Sequence, residues 1–157
     1  MDIKSREKLS RWDNKFIDLA VHVSGWSRDR GTKNGAVIVD SDNIVLSMGY
    51  NGFPRGCDDH INCRYEKPEK YLYTEHAERN AIYHGARHGV SLRGCCIYVT
   101  MMPCADCARA IIQSGIKKVV SPVPNFKSET WGRHFEVSIE LFKECGVDLV
   151  LYAEYLN

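Results

Sequence analysis

The sequence predicts an α/β protein with a three-layer α/β/α fold, in which a mixed five-stranded sheet carries helices on both faces. Gly35–Val39 and residues 44–50 are apolar runs joined by the turn-forming residues 40–43, a pattern typical of a β-hairpin. After this hairpin, segments with helical periodicity alternate with short apolar runs. Such alternation favours a sheet packed between helices.

The remaining elements follow from periodicity and from residues that start or end helices. Residues 12–26 form the first predicted helix, because Phe16 and Val23 belong to an apolar set that recurs at helical spacing. Later helices are predicted at residues 75–88, 105–114 and 131–145, and later strands at residues 95–100, 117–121 and 147–152. Thr74 is the predicted N-cap of the second helix, and Gly146 ends the last one.

Length, composition and charge are those of one globular domain, which we expect to span residues 1–157. Apolar residues make up 44% and charged residues 26% of the chain. The net charge of +1 provides no overall attraction to nucleic acid or to an anionic membrane. No apolar run is long enough to cross a bilayer, and residues 1–8 are too charged for a signal peptide. The seven cysteines, an odd number, favour metal binding in a reducing cytoplasm over a disulfide framework.

A His-x-Glu motif and a Pro-Cys-x-x-Cys motif, each at the start of a predicted helix, are the most informative features. They supply His76, Cys104 and Cys107 as zinc ligands. Three protein ligands leave the fourth tetrahedral position open for water, as in catalytic zinc sites, and helix N-termini favour the thiolate form of cysteine. Glu78, two residues after His76, is then placed beside that water as a general acid–base.

Other cysteine and histidine residues leave two metal alternatives open. A structural zinc site would need a fourth ligand, and Cys95 or Cys96 is available, although both lie in a predicted strand where cysteine is commonly a core residue. A second, structural zinc could be held by Cys57, His60 and Cys63. We favour the interpretation that these three are ordinary loop residues, because no Cys-x-x-Cys spacing supports the metal.

The two motifs together match the signature of zinc-dependent nucleobase deaminases. With the Gly-Tyr-Asn-Gly-x-Pro segment at residues 49–54, the chain resembles the deoxycytidylate (dCMP) deaminases of the cytidine deaminase-like superfamily, from about residue 12 to residue 152. The resemblance implies zinc-dependent hydrolysis of dCMP to dUMP and ammonia, a step that supplies precursors of dTTP. Glu78 would carry protons from the attacking water to N3 of cytosine and to the departing ammonia.

The resemblance also implies contacts with the substrate. Asn51 matches an asparagine that binds the sugar, although Asn-Gly is also a strong turn dipeptide. The backbone near Ala77 and Met102 is expected to contact the pyrimidine edge, and Ser27 is a further candidate in the segment that precedes the first strand. Phe126 and Trp131 are aromatic candidates for packing the base or sugar, unless either is simply a core residue.

Two positions depart from the pattern of these relatives. Trp26 stands where many of them carry an arginine that is expected to hold the substrate phosphate. Arg28, Arg30 or Lys33 would have to supply the missing charge. Asn34 stands where relatives often carry valine, and it brings a polar side chain to the entry of the first strand.

Members of the family are commonly homohexamers that dCTP activates and dTTP inhibits, each triphosphate binding with Mg²⁺. The resemblance places this allosteric site near Tyr50, Gly52, Arg55 and Arg87. Arginine matches the geometry of phosphate groups well. For any single one of these arginines, however, a solvated surface position is the simpler interpretation.

Two further classes of function are alternatives. One is a deaminase of another substrate, such as dCTP together with dCMP, cytidine, guanine or a tRNA adenosine. The balanced charge argues against a tRNA substrate, since a broad basic face would be needed for the phosphate backbone. The other is a zinc-stabilised module that senses nucleotides without catalysis, and Glu78 argues against it because such a module has no use for that carboxylate.

Overall fold

The computed structural model describes residues 3–153, and over that range the sheet has six strands. In chain order they are β1 (Ile3–Ser5), β2 (Gly35–Val39), β3 (Val45–Tyr50), β4 (Cys96–Val99), β5 (Lys118–Pro122) and β6 (Asp148–Ala153). Their order across the sheet is β1-β6-β5-β4-β2-β3. β2 runs antiparallel to both of its neighbours, whereas the other pairs are parallel. The predicted α/β class and mixed sheet are therefore confirmed.

Five α-helices accompany the described strands: α1 (Arg11–Ser24), α2 (Lys70–Tyr73), α3 (Ala77–Arg87), α4 (Ala105–Gln113) and α5 (Gly132–Glu144). Two short 3-10 helices lie at Arg6–Lys8 and Asn62–Tyr65. Within residues 3–153, none of the helices combines the length and the apolar character that crossing a bilayer requires.

Two hydrophobic clusters, one on each face of the sheet, produce the three layers. All five residues of β2 are buried, and their side chains alternate between the two faces. Val37 and Val39 pack with Phe16 and Ile17 of α1. Ile38 belongs instead to the cluster that contains the buried residues of α3, α4 and α5. A strand that is apolar on both sides is what a sheet covered by helices requires.

The sixth strand is one difference from the sequence-based expectation of five. Ile3–Ser5 pairs in parallel with β6 at the edge of the sheet. It is short, carries no fully buried residue and has no apolar alternation. Its hydrogen bonds come from β6 rather than from a local pattern, so periodicity does not reveal it.

The start of α3 is the second difference. His76, not Thr74, is its N-cap residue, and Thr74 instead ends the one-turn helix α2. An isolated antiparallel bridge between Gly52 and Glu75 explains the shift, with N···O distances of 3.0 and 2.8 Å. This bridge keeps the chain extended through residue 75, so that the helix begins two residues later than predicted.

Gly49 allows β3 and the first turn of α3 to approach each other closely. A Cβ atom at this position would collide with the carbonyl oxygen of Ala77 and the amide nitrogen of Ala81. Backbone cannot yield as a flexible side chain can, so only glycine fits without a shift of the helix. The first turn of α3, which follows His76, is therefore held directly against the end of β3.

Candidate active site

His76 and Cys104 are the N-cap residues of α3 and α4, and neither side chain makes the usual capping hydrogen bond. They face each other instead: Nδ1 of His76 lies 3.5 Å from the Sγ atoms of both Cys104 and Cys107. The three ligand atoms all lie within 4.8 Å of one another. Neither Cys95 nor Cys96 joins this group in the described chain. One imidazole and two sulfurs at this spacing fit a tetrahedral zinc ion with one open position.

The protonation of the cluster is suited to binding a cation. A hydrogen bond from Cys107 outweighs burial and, together with His76, lowers the pKa of Cys104 to about 4. The same hydrogen bond, with burial, raises the pKa of Cys107. The hydrogen bond to Cys104 raises the pKa of His76 against the effect of burial. The three groups thus share protons that a metal ion would displace on binding.

Glu78 lies in the first turn of α3 with its side chain 6% exposed. Burial raises the pKa of its carboxyl group, and the nearby charge of His76 opposes this only in part. A raised pKa makes a carboxyl group a stronger base, which favours its use in general acid–base catalysis.

A cavity opens above the cluster and is lined in part by His76 and Glu78. Trp131, the N-cap residue of α5, and Phe135 within that helix form an aromatic wall. The ring centroid of Trp131 lies 5.7 Å from that of His76. Met102, after β4, adds an apolar surface. The cavity therefore combines an apolar wall with one buried acid and a candidate metal centre, as small-molecule sites commonly do.

Comparison with known proteins identifies the family. Residues 10–122 match the family model described as the cytidine and deoxycytidylate deaminase zinc-binding region. The chain belongs to this deaminase family. The matched range includes the candidate metal ligands and Glu78, and the resemblance to deoxycytidylate deaminases inferred from the sequence is confirmed.

Relatives within the deaminase family span most of the chain. It is 43% identical over 143 residues to the "uncharacterized deaminase in luxG 3′ region" of Aliivibrio fischeri, covering 90% of this chain and 93% of that protein. It is 37% identical over 122 residues to the human deoxycytidylate deaminase, covering 74% and 67% of the two chains. Among solved structures, the dCMP deaminase of cyanophage S-TIM5 in complex with dCMP and dUMP aligns with a TM-score of 0.71. That alignment has 26% identity and covers 87% of this chain and 93% of the other.

Asn51 lines the cavity, but its amide group also braces the neighbouring loop. Its Oδ1 accepts a hydrogen bond from the backbone N–H of Asn34 at 2.7 Å, and its Nδ2 donates to the carbonyl oxygen of Thr32 at 2.8 Å. Ser27 is buried behind it, and the Ser27 hydroxyl donates to the carbonyl oxygen of Asn51 at 2.7 Å. The turn and pocket interpretations of Asn51 are thus compatible. Ser27 contacts Asn51 and lies beside a different cleft.

Ala77 and Phe126 are not among the residues that line the cavity. Ala77 is buried, and its carbonyl group packs toward Gly49. Phe126 is 42% exposed, and its backbone lies against the start of α5. Of the two aromatic candidates, Trp131 is therefore the one that the fold brings to the metal ligands.

The three basic residues expected to replace the missing arginine line a separate surface cleft. Arg28 forms an ion pair with Asp59 at 2.9 Å, and Arg30 donates to the side chain of Asn62 at 2.5 Å. Lys33 belongs to the same cleft, as does Trp26. None of these three cations is among the residues that line the cavity containing Glu78.

Arg55 and Arg87 lie together on a third cleft. Arg55 donates to Nε2 of His84 at 2.9 Å, while Nδ1 of His84 donates to a backbone carbonyl oxygen of β3 at 2.7 Å. Tyr50 accepts a hydrogen bond from α3 through its carbonyl oxygen, and Gly52 forms the bridge that precedes α3. Arg28, Arg30 and Lys33 therefore lie on one cleft and Arg55 and Arg87 on another, while Tyr50 and Gly52 are not among the lining residues of either.

The proposed second zinc ligands are not gathered in the described residues. Cys57 and Cys63 are exposed, and the potential ligand atoms near His60 are those of Asp58 and Asp59. Exposed acidic groups of this kind are common without a metal. This geometry agrees with the favoured interpretation of the segment as a loop.

Sequence reasoning did not identify Asp29, Lys67 and Lys70, which also line the cavity. Lys70 lies in α2 and pairs with the buried Asp29. The only signal in the sequence is the pair of lysines three residues apart in the loop before the His-x-Glu motif. Nothing local to Asp29 indicates that it meets a lysine 41 residues further along the chain.

Proposed function

We propose that this chain, as one catalytic domain over residues 1–157, hydrolyses dCMP to dUMP and ammonia. The observation that carries the proposal is the buried carboxyl group of Glu78 beside a His-Cys-Cys cluster in a single cavity. Proteins named deoxycytidylate deaminases recur among its relatives, which supports dCMP as the substrate. A zinc-stabilised sensing module would have no use for this carboxyl group.

His76, Cys104 and Cys107 would hold zinc, and bound zinc would supply a Lewis acid that lowers the pKa of water toward neutrality. Glu78 takes one proton from the attacking water and delivers it to N3 of cytosine. It then passes the second proton to the amino group on C4. The C4–O bond forms and the C4–N bond breaks, so that water and dCMP give dUMP and ammonia.

The cavity walls suit a flat, partly polar base. Trp131 and Met102 offer apolar surface, and the backbone near Ala77 is a proposed contact for the pyrimidine edge. One N–H of the Asn51 amide is used by the carbonyl of Thr32, which leaves the second N–H for a sugar oxygen. Ser27 then acts by fixing the backbone of Asn51 rather than by touching the substrate.

The first prediction concerns Glu78→Gln. We expect kcat for ammonia release from dCMP to fall by about 10²–10⁴-fold, because glutamine is nearly isosteric but cannot relay protons. Zinc content, measured by atomic absorption, should stay at the wild-type level because Glu78 is not a ligand. To test the proposed substrate, ammonia release by the wild-type protein should be compared for cytidine, deoxycytidine, dCMP and dCTP.

Full activity of Glu78→Gln would contradict the mechanism. Preference for a substrate other than dCMP would contradict the proposed function, and equal turnover of dCTP would reassign the chain as a dual dCMP/dCTP deaminase.

We further propose that the cleft containing Arg55 and Arg87 binds Mg²⁺-bound dCTP as activator and dTTP as inhibitor, in a homohexamer. Two guanidinium groups on one cleft away from the catalytic cavity support this assignment. dCTP should shift a sigmoidal dCMP saturation curve to lower concentration, and dTTP should oppose it. Light scattering measures the oligomer. A hyperbolic curve that neither effector changes would contradict the proposed regulation but not the proposed catalysis. The cytoplasmic location stays a prediction.

A further inference from the structure

We propose that Lys70 and Lys67 form the subsite for the 5′-phosphate of the substrate, with Asp29 as a positioning residue. This inference rests on the proposed function and specifies how the chain would recognise a nucleoside monophosphate without an arginine at position 26. Its ligand class is a phosphate monoester that carries close to two negative charges.

Location is the first argument for this subsite. Lys67 and Lys70 line the same cavity as His76 and Glu78, and in the described part of the chain no other lysine or arginine does so. If the base of a nucleotide reaches Glu78, the phosphate on its sugar must lie within this cavity or at its mouth. The ammonium groups of these lysines are therefore the cations placed to meet it.

Lys70 is held rigidly, which is the second argument. Its side chain is 14% exposed, and its Nζ lies 2.9 and 3.1 Å from the two carboxylate oxygens of Asp29. Asp29 is itself fixed, because its Oδ1 accepts hydrogen bonds from the backbone N–H groups of Gly31 and Thr32 at 2.8 and 3.1 Å. A lysine normally loses side-chain conformational entropy when it binds a ligand. Because Asp29 already restricts Lys70 in the folded protein, this loss does not have to occur on binding.

Lys67 supplies the net charge, which is the third argument. The charge of Lys70 is balanced by Asp29, so this pair alone adds no net charge to the cavity. Lys67 forms no ion pair within residues 3–153, and its Nζ lies 5.8 Å from the ring centroid of Tyr71. Lys67, Lys70 and Asp29 together carry a net charge of +1. A lysine ammonium group attracts phosphate as a point charge, so this net charge favours a phosphate group.

The position of Trp26 agrees with this arrangement. Its ring is 50% exposed and packs edge-on against Tyr50, with ring centroids 6.1 Å apart, and it borders the cleft of Arg28 and Arg30. An arginine in its place is not required if the phosphate is bound from α2 and the loop before it.

The test measures kcat/KM for dCMP and for deoxycytidine, which lacks the phosphate, in Lys67→Gln and Lys70→Gln. We expect each variant to lose about 10- to 100-fold for dCMP, mainly through KM, because a hydrogen bond to a charged group is removed. kcat/KM for deoxycytidine should fall far less than kcat/KM for dCMP, because deoxycytidine has no phosphate to bind. The matched control is Lys143→Gln, which replaces an exposed lysine on α5. It should leave kcat/KM unchanged for both dCMP and deoxycytidine.

Lys70→Gln leaves the buried Asp29 without its partner and could unfold the protein, so the double variant with Asp29→Asn is measured as well. Lys67 is exposed, and its replacement should keep the fold. If Lys67→Gln and the double variant keep the wild-type preference for dCMP over deoxycytidine, the subsite is wrong. Loss of that preference in Arg30→Gln instead would assign the phosphate to the other cleft.

Calorimetry with the product pair dUMP and deoxyuridine separates this inference from the proposed function. If the wild type fails to deaminate dCMP but binds dUMP more tightly than deoxyuridine, and Lys67→Gln abolishes that difference, the subsite is supported and the reaction is not. If the wild type deaminates dCMP and Lys67→Gln binds dUMP as the wild type does, the reaction stands and the subsite fails.

Discussion

Single side chains in this protein gain their properties from the groups that surround them. Asp13, at the start of α1, shows this away from the candidate active site. It forms a capping box with Ser10, accepts a hydrogen bond from the hydroxyl of Tyr98 at 2.7 Å, and pairs with Lys118 at 3.3 Å. Burial acts to raise the pKa of Asp13, but these hydrogen bonds and the lysine together hold it below its usual value.

This lowered pKa predicts a pH dependence of stability. The stabilisation by Asp13 should be complete above about pH 4, its unfolded pKa, and should be lost as the pH falls through its folded pKa. Asp13→Asn should therefore lower the free energy of unfolding by about 1–3 kcal/mol at pH 7 and progressively less toward pH 2. Urea unfolding at several pH values measures this. Asp42→Asn, in an exposed turn, is the control, and equal pH profiles for the two variants would contradict the prediction.

Gly49 of β3 and the first turn of α3 are an example of close packing between a strand and a helix. Gly49→Ala should lower the free energy of unfolding by about 1–3 kcal/mol, because the added methyl group meets backbone rather than a mobile side chain. It should also lower kcat, since the helix that carries Glu78 must move. Thermal unfolding and dCMP turnover measure the two effects.

Gly52→Ala is the matched control for this prediction. It introduces the same methyl group three residues later, where nothing lies within 4 Å of the new atom. If the two variants were equally stable, the close approach at Gly49 would not limit the packing of α3 against the sheet.

At the scale of the whole molecule, the candidate metal centre joins elements that are distant in sequence. His76 belongs to the start of α3, while Cys104 and Cys107 belong to the start of α4. A metal bound by all three would link the two helices, and binding free energy would add to folding free energy. Removal of zinc by a chelator should therefore lower the melting temperature and abolish dCMP turnover together.

Variants of the cysteines test this link. Cys107→Ala should show no change in melting temperature when the chelator is added, because the site is already incomplete. Cys145→Ala, which removes an exposed cysteine after α5, should respond as the wild type does. A chelator-treated protein that stays fully active would contradict the assignment of the centre.

Local sequence determined most of the described fold and the residues of the candidate metal cluster. Within residues 3–153, helical periodicity and buried β-branched runs predicted four of the five α-helices and five of the six strands. The residues of the cluster were predictable because His-x-Glu and Cys-x-x-Cys each place their side chains within one helical turn. The capping geometry of His76 and Cys104 depends on a few neighbouring residues.

Only the tertiary structure decided which polar residues meet. The hydrogen bonds of β1 come from β6, about 150 residues away in sequence. Asp29 and Lys70 are 41 residues apart, and Ser27 reaches Asn51 across 24 residues. Such contacts depend on how the chain folds back over the sheet, which no short sequence window encodes. For the same reason, the sequence drew attention to Arg28, Arg30 or Lys33 as a phosphate ligand and not to Lys67 and Lys70, the lysines that line the cavity in the described structure.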